Sequence, residues 1–76
     1  MENFKEWFAC RLKNLRTQES MTQNDLAEIT GIGIATIERL ERGKVFPRIE
    51  TCLLIAKVFG ITVSQLLQEF DDNFDV

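Results

Sequence analysis

Apolar residues recur at helical spacing along most of the chain. Phe4, Phe8, Leu12 and Leu15 are three or four residues apart, which predicts one apolar stripe on a first helix over residues 4–18. Apolar periodicity and helix-end signals predict four more helices, over residues 23–30, 34–42, 49–59 and 63–70. No segment alternates apolar and polar residues over the length of a strand, so we expect an all-α fold with five helices.

Glycines and capping pairs mark the predicted helix ends. Glycines at positions 31, 43 and 60 each follow a helical segment, and glycine readily adopts the left-handed conformation that closes a helix. Thr22 with Asp25 and Thr62 with Gln65 have the spacing of capping boxes, which open the second and fifth helices. We therefore expect one domain over residues 1–70, followed by an acidic tail, residues 71–76, that frays.

Size and cysteine content narrow the class of protein. The 76 residues have room for one domain, and no run of 18 or more apolar residues predicts a membrane span. The first residues lack the pattern of a secretory signal. Cys10 and Cys52 lie in apolar, helical stretches, so we expect two reduced and largely buried thiols in a cytoplasmic protein.

The sequence has few residues of the types that bind metal ions or catalyse reactions. Two cysteines and no histidine cannot complete the usual four-ligand zinc site within one chain. The sequence has no glycine-rich phosphate loop, and the adjacent Asp71 and Asp72 of the predicted tail are implausible as an acid–base pair. We expect no enzyme activity, no metal, no cofactor and no small-molecule ligand.

The net charge of −3 is unevenly distributed along the chain. Residues 11–67 carry eight basic and six acidic side chains, whereas residues 69–76 carry four acidic ones and no basic one. Residues 39–48 form a local basic cluster. The acidity is thus concentrated at the C-terminal end, and the net charge argues against indiscriminate nucleic-acid binding.

The stretch from residue 23 to residue 42 predicts two short helices that cross at a tight turn. Ala27 is a small residue near the expected crossing, and Gly31 tolerates the positive φ that the turn requires. Apolar residues that can lock the pair onto a core stand at positions 26, 32, 37 and 40. The pattern predicts a helix-turn-helix.

This arrangement resembles the Cro/repressor class of helix-turn-helix regulators, also called the xenobiotic-response-element family. The matching segments are Leu12-x-x-Leu15-Arg16, Met21-Thr22-Gln23-x-x-Leu26-Ala27, Ile37-x-x-Leu40-Glu41-Arg42-Gly43-Lys44, Pro47, and Ile55-Ala56-Lys57-x-Phe59-Gly60-Ile61. The resemblance implies a five-helix, lambda-repressor-like domain with the helix-turn-helix at helices 2 and 3. It further implies a cytoplasmic regulator of transcription, a repressor or controller, that binds double-stranded DNA.

The resemblance also implies roles for individual residues. Gln23 would lie against the DNA backbone, and helix 3 would enter the major groove. The residues facing the groove would be Gly33, Ile34, Ala35, Thr36 and Arg39. Those contacting phosphates would be Arg42, Lys44 and Arg48. An ion pair between Arg16 and Glu41 would join helix 1 to helix 3.

Helix 3 departs from the polar pattern of many relatives. Ile34 and Ala35 cannot hydrogen-bond a base edge, although they can touch a thymine methyl group. Glu38 would be unfavourable near phosphates unless it is paired or aimed at cytosine. These residues and the net acidity favour an alternative: a protein-interaction module of the same fold, antitoxin-like or an accessory component, with weak DNA binding. Gln23, Arg39 and the basic cluster favour the regulator.

The predicted fourth helix is apolar on more than one face, which predicts a partner surface, most simply a second copy of the chain. Two copies on a palindromic operator would place their third helices in successive major grooves, roughly 34–36 Å apart. The predicted interface residues are Phe46, Ile49, Leu54, Val58, Val63 and Phe70. Phe46 either faces that partner or folds back onto its own core.

Overall fold

The computed structural model describes residues 3–73, and the side chains up to residue 68. The chain forms five helices: α1 Phe4–Gln18, α2 Gln23–Thr30, α3 Ile34–Glu41, α4 Ile49–Val58 and α5 Val63–Asn73. Residues 3–73 contain no strand, and none of their helices has the length and apolar character needed to cross a membrane. The predicted all-α fold with five helices is confirmed.

The observed helix ends differ little from the predicted ones. α1 and α2 have the predicted bounds, while α3 and α4 end one residue earlier than predicted, at Glu41 and Val58. α5 runs on to Asn73, three residues past the predicted end at Phe70. The backbone of residues 71–73 is therefore helical, residues 74–76 lie outside the described part of the chain, and the expectation that the acidic tail frays stays a prediction.

Local side-chain bonds explain where α2 and α5 begin. The Thr22 hydroxyl accepts a hydrogen bond from the Asp25 N–H at 3.0 Å, and the Asp25 carboxylate accepts one from the Thr22 N–H at 2.9 Å. Thr62 and Gln65 exchange the same two bonds at 3.0 and 2.9 Å. Both capping boxes are confirmed, and each satisfies backbone donors that a helix start leaves without an intrahelical partner.

Every helix contributes to one core. Seven large side chains are essentially fully buried, and they come from all five helices: Phe8, Leu12, Leu26, Ile37, Leu40, Ile55 and Leu66. Trp7 is buried beside them. Burial of such side chains contributes about 1.5–3 kcal/mol each, so this shared core is the main source of stability.

The two cysteines differ in exposure. Cys52 is buried in the core, as expected, but Cys10 is exposed, so the expectation of two buried thiols is wrong for Cys10. The reason is helical phase: Cys10 lies two residues from both Phe8 and Leu12, which places it on the opposite side of α1 from those buried residues. Apolar neighbours in sequence did not determine which side of the helix Cys10 occupies.

Arg11, for which the sequence predicted no role, joins the first helix to the last one. The Arg11 guanidinium donates to the Leu66 carbonyl at 3.0 Å and to the Gln65 carbonyl at 3.1 Å. These bonds link α1 to α5 across 55 residues of sequence. α5 is therefore held by polar contacts as well as by the buried Leu66.

Candidate nucleic-acid interface

α3 has two contrasting faces. Ile37, Leu40 and Glu41 are buried and hold the helix on the rest of the molecule. Positions 35, 39 and 42, at intervals of three or four residues, are exposed on the opposite side. The edges between the two faces carry Ile34 and the half-buried Thr36. The structure therefore places the predicted base-facing residues on the exposed side and at the edges of one helix.

The turn between α2 and α3 is fixed by its own hydrogen bonds. Gly31 closes α2 with a φ of 77°, in the left-handed region where a side chain would be strained. The buried Thr30 hydroxyl donates to the Leu26 carbonyl at 2.6 Å and accepts from the Ile32 N–H at 3.2 Å. Gly33 is the N-cap of α3 and has no capping side chain. The orientation of α3 on α2 is thus set before any ligand binds.

A charged network connects α1 to α3. Arg16 Nε lies 2.7 Å from one Glu41 carboxylate oxygen, and Arg16 Nη2 lies 2.9 Å from the other. The remaining Nη1 donates to the Met21 carbonyl at 2.8 Å. The two side chains are only 14% and 2% exposed, so the implied ion pair is present, two-pronged and largely shielded from water.

The network also defines the charge state of Arg16. The hydrogen bonds that Arg16 donates to the Glu41 carboxylate raise the pKa of Arg16 above its ordinary value, although burial acts in the opposite direction. Arg16 is therefore positively charged at any pH at which the domain would work. Because a lone charge at this site would be poorly solvated, each partner depends on the other.

Gln23 belongs to the same network. Its amide nitrogen donates to a Glu41 oxygen at 3.0 Å, and its side chain is half-buried. An ionised carboxylate accepts hydrogen bonds only, so the contact also orients the Gln23 amide. The family resemblance implied a position against the DNA backbone for Gln23 but not this bond, because the bond joins residues 18 positions apart and no local signal records it.

The three residues predicted to contact phosphates come at the end of α3 and after it. Arg42 is the C-cap of α3, Lys44 lies in the next loop, and Arg48 is the N-cap of α4; all three are exposed. A cleft of about 460 Å³ between α3, this loop and α4 is lined by Thr36, Arg39 and Arg48, among others. Exposed basic groups therefore lie at the C-terminal end of α3 and in the loop that follows it.

The start of α1 supports the loop that carries Lys44. Gly43 has a φ of 70°, and a Cβ there would lie 3.5 Å from the Glu6 Cα and the Lys5 carbonyl oxygen. The ring of Phe46 stacks on Phe4 with centroids 6.0 Å apart, and the Lys5 ammonium lies 5.0 Å from the Phe46 ring centre. Phe46 nevertheless stays 65% exposed, so folding back covers only part of it.

The predicted interface residues divide into two groups. Ile49, at 76% exposure, and Leu54 are uncovered on α4, whereas Val58 and Val63 are half-buried against the domain's own core. The side chain of Phe70 lies outside the described part of the structure. Leu53 is also exposed and was not predicted, although its spacing of four residues from Ile49 places the two on one side of α4.

A known sequence family matches the part of the chain that contains α2, the turn and α3. The Helix-turn-helix family model matches residues 12–66, which include all of α2, α3 and α4. The chain belongs to the helix-turn-helix family of transcriptional regulators. The resemblance to the Cro/repressor class is thereby confirmed, and helix-turn-helix regulators bind double-stranded DNA.

Curated members of the helix-turn-helix family differ in length from this chain. It is 28% identical over 68 residues to the cryptic phage CTXphi transcriptional repressor RstR of Vibrio cholerae, covering 90% of this chain and 61% of RstR. It is 34% identical over 59 residues to the HTH-type transcriptional regulator PuuR of Escherichia coli K12, covering 78% of this chain and 32% of PuuR. A regulator of Methanocaldococcus jannaschii is 36% identical over 63 residues, 83% of this chain and 96% of that protein.

Solved structures show the same helix-turn-helix fold. An HTH_3 family transcriptional regulator from Vibrio cholerae superposes with a TM-score of 0.78 at 32% identity, over 87% of this chain and 37% of that one. The clp gene regulator ClgR of Corynebacterium glutamicum gives a TM-score of 0.82 at 22% identity, over 95% of this chain and 77% of ClgR. At 22% identity, the similarity to ClgR concerns the fold alone.

Proposed function

We propose that this helix-turn-helix domain binds double-stranded DNA sequence-specifically in the cytoplasm and regulates transcription, with α3 in the major groove. The observation that carries the proposal is the division of α3 into a buried side and an exposed side. The buried side is fixed by the core and by the Arg16–Glu41 pair, and the exposed side presents Ala35 and Arg39, with Ile34 at its edge. A rigid helix with an uncovered outer side suits readout of base edges.

The proposed phosphate contacts lie around that helix. Arg42, Lys44 and Arg48 supply exposed positive charge beside α3. Gln23 uses its amide nitrogen to reach Glu41, and the second N–H of that nitrogen can still donate to a phosphate oxygen. Contacts of this kind position a protein on DNA and supply affinity, whereas contacts from α3 supply sequence choice.

Selection of bound duplexes from a random DNA pool tests the proposal. We expect a defined sequence motif, and binding to it that weakens steeply as salt rises, because basic side chains displace counterions from the phosphates. A matched measurement on a scrambled duplex of the same length separates specific from non-specific affinity. Enrichment of no motif, or binding that does not depend on salt, would contradict the proposal.

We further propose that the domain acts as a symmetric homodimer on a palindromic operator. Apolar surface is exposed on α4 at Ile49, Leu53 and Leu54. Phe46, in the loop just before α4, also exposes most of its ring. One such domain spans a single half-site, and two copies would place their α3 helices roughly 34–36 Å apart. The selected motif would then be a palindrome with that spacing.

Sedimentation equilibrium at tens of micromolar protein tests the dimer. We expect a mass of two chains for the wild type, free or on a palindromic duplex, and a shift toward one chain for Ile49→Asp. The matched control is Ile29→Asp, at an exposed isoleucine of α2, which should leave the dimer intact. A monomer under both conditions would overturn the dimer without bearing on the fold.

A further inference from the structure

In the first turn of α3 the exposed side chains are apolar, and its polar residue, Thr36, is half-buried at the edge beside the loop that precedes α4. Gly33 has no side chain, and nothing lies within 4 Å of the position its Cβ would occupy. Ile34 is 37% exposed and Ala35 is exposed, and both are apolar. The first outward ionisable side chains, Glu38 and Arg39, come one turn later. The leading end of the proposed recognition helix is therefore an apolar surface.

Ile34 and Ala35 occupy different positions on that surface. Ile34 lies on the side nearer α2, where it lines an open cleft of about 500 Å³ together with Gln23, Asn24 and Glu38. Ala35 lies on the outer ridge, in line with Arg39 one turn further along α3. Because alanine is short, a base edge can approach the helix backbone closely at Ala35, with Ile34 beside it.

An apolar first turn of α3 can make favourable contacts with only one kind of group in the major groove, a methyl group. The N-terminal residues of a recognition helix contact base edges, and all four bases present hydrogen-bonding groups there. Thymine also presents its 5-methyl group, which apolar side chains contact favourably. A hydrogen-bonding base edge pressed against Ile34 would instead lose water without gaining a partner, which is unfavourable.

We propose that Ile34 and Ala35 select pyrimidine 5-methyl groups, so that thymine or 5-methylcytosine is required at the bases facing the first turn of α3. The inference rests on the proposed function and specifies which bases the domain recognises. Sequence choice further along the groove falls to Arg39 and Glu38, whose side chains can hydrogen-bond bases.

Removal of single methyl groups from the selected duplex tests the inference. Each thymine is replaced in turn by uracil, which keeps every hydrogen-bonding group and removes only the methyl. We expect binding about fourfold weaker at one or two positions in each half-site, the factor that corresponds to about 0.8 kcal/mol for one buried carbon group. The other positions should tolerate uracil.

A second set of duplexes tests which methylated pyrimidines are accepted. At each sensitive position the T·A pair is replaced by C·G and by 5-methylcytosine·G, and the two duplexes are compared. Tighter binding of the methylated duplex shows that either methylated pyrimidine is accepted. Equal binding of the two restricts the selection to thymine, and the uracil result still supports methyl recognition.

Protein variants assign the effect to α3. Ile34→Ala should remove most of the uracil effect at its position, whereas Ile29→Ala, at an exposed isoleucine of α2, should leave it unchanged. Because both residues are exposed, both variants should fold, which thermal unfolding checks. Equal affinity for thymine and uracil duplexes at every position would overturn the inference and leave the proposed function standing. Failure to enrich any motif, with binding insensitive to salt, would overturn both.

Discussion

The buried and exposed sides of α3 differ in what holds their residues. Ile37 and Leu40 are packed in the core, and Glu41 makes hydrogen bonds to two other elements. Ala35 and Arg39, in the same eight-residue helix, face away from that core. Internal contacts therefore account for the residue types on one side of the helix and not for those on the other.

This difference separates stability from recognition within one helix. A substitution on the buried side removes contacts that fold the chain, so it should act on unfolding first. A substitution on the exposed side removes no internal contact of that kind and should act on a partner. Variants that change stability and DNA binding equally would contradict this separation.

The largest expected effect is on the buried side. Glu41→Gln leaves Arg16 charged and largely shielded without its counter-ion, and we expect the free energy of unfolding to fall by about 3 kcal/mol. For a domain of this size that corresponds to a melting temperature lower by more than about 10 °C. Glu38→Gln is the matched control in the same helix and should change stability by less than about 0.5 kcal/mol. Equal melting temperatures for wild type and Glu41→Gln would show that the pair contributes no net stability.

On the exposed side, Arg39→Ala should weaken binding to the selected duplex by about 1–3 kcal/mol and relax the base preference at one position. Its melting temperature should match that of the wild type, because Arg39 is exposed. Fluorescence anisotropy with the selected and scrambled duplexes measures both affinities. Lys57→Ala, an equal change of charge on α4, is the control. A loss of affinity that is the same for both duplexes would make Arg39 a phosphate contact instead.

A smaller effect is expected beside α3, at Lys44. Lys44→Ala should leave the selected motif unchanged and reduce the slope of log affinity against log salt by about 0.9, the value for one phosphate contact. The slope is obtained from titrations at several salt concentrations, with Lys57→Ala again as the control. An unchanged slope would place Lys44 away from the DNA backbone.

The smallest effect extends the comparison to the cysteines, one exposed and one buried. Burial raises the pKa of the Cys52 thiol, so the folded chain keeps this proton at a pH where the unfolded chain loses it. The stability contribution is therefore complete below the unfolded pKa of about 8.5 and is lost as the pH rises toward the folded value. Urea unfolding between pH 8 and 10 should show this decline, and Cys52→Ala should flatten it.

Cys10→Ser is the matched control and should leave the alkaline decline in place. A thiol reagent should modify the exposed Cys10 in the folded domain and reach Cys52 only after unfolding. Equal modification rates for the two thiols in the folded state would contradict the burial of Cys52.

Local patterns in the sequence were sufficient for most of the fold. Apolar spacing predicted the bounds of α1 and α2, and the two capping boxes were visible as residue pairs three positions apart. The end of α5 was missed because acidic, polar residues favour a tail by composition although they continue the helix here. Cys10 was misplaced because the phase of α1 was not applied to it.

Bonds between distant segments could not be predicted in the same way. The Gln23–Glu41 and Arg11–Leu66 contacts join residues 18 and 55 positions apart, and their formation depends on how the helices pack. The Arg16–Glu41 pair was implied only by the family resemblance. Which residues touch DNA is a property of a complex, so for those residues the sequence and the fold together support a proposal.

Mapping the DNA-binding surface by NMR tests the central claim most directly. The selected duplex is titrated into ¹⁵N-labelled domain, and amide shifts are followed residue by residue. We predict the largest shifts at Gln23, at residues 33–39, at residues 42–46 and at Arg48, with small shifts in α5 and around Cys10. Saturating binding that leaves the amides of α3 unshifted, with the changes confined to other helices, would contradict the assignment of α3 as the recognition helix.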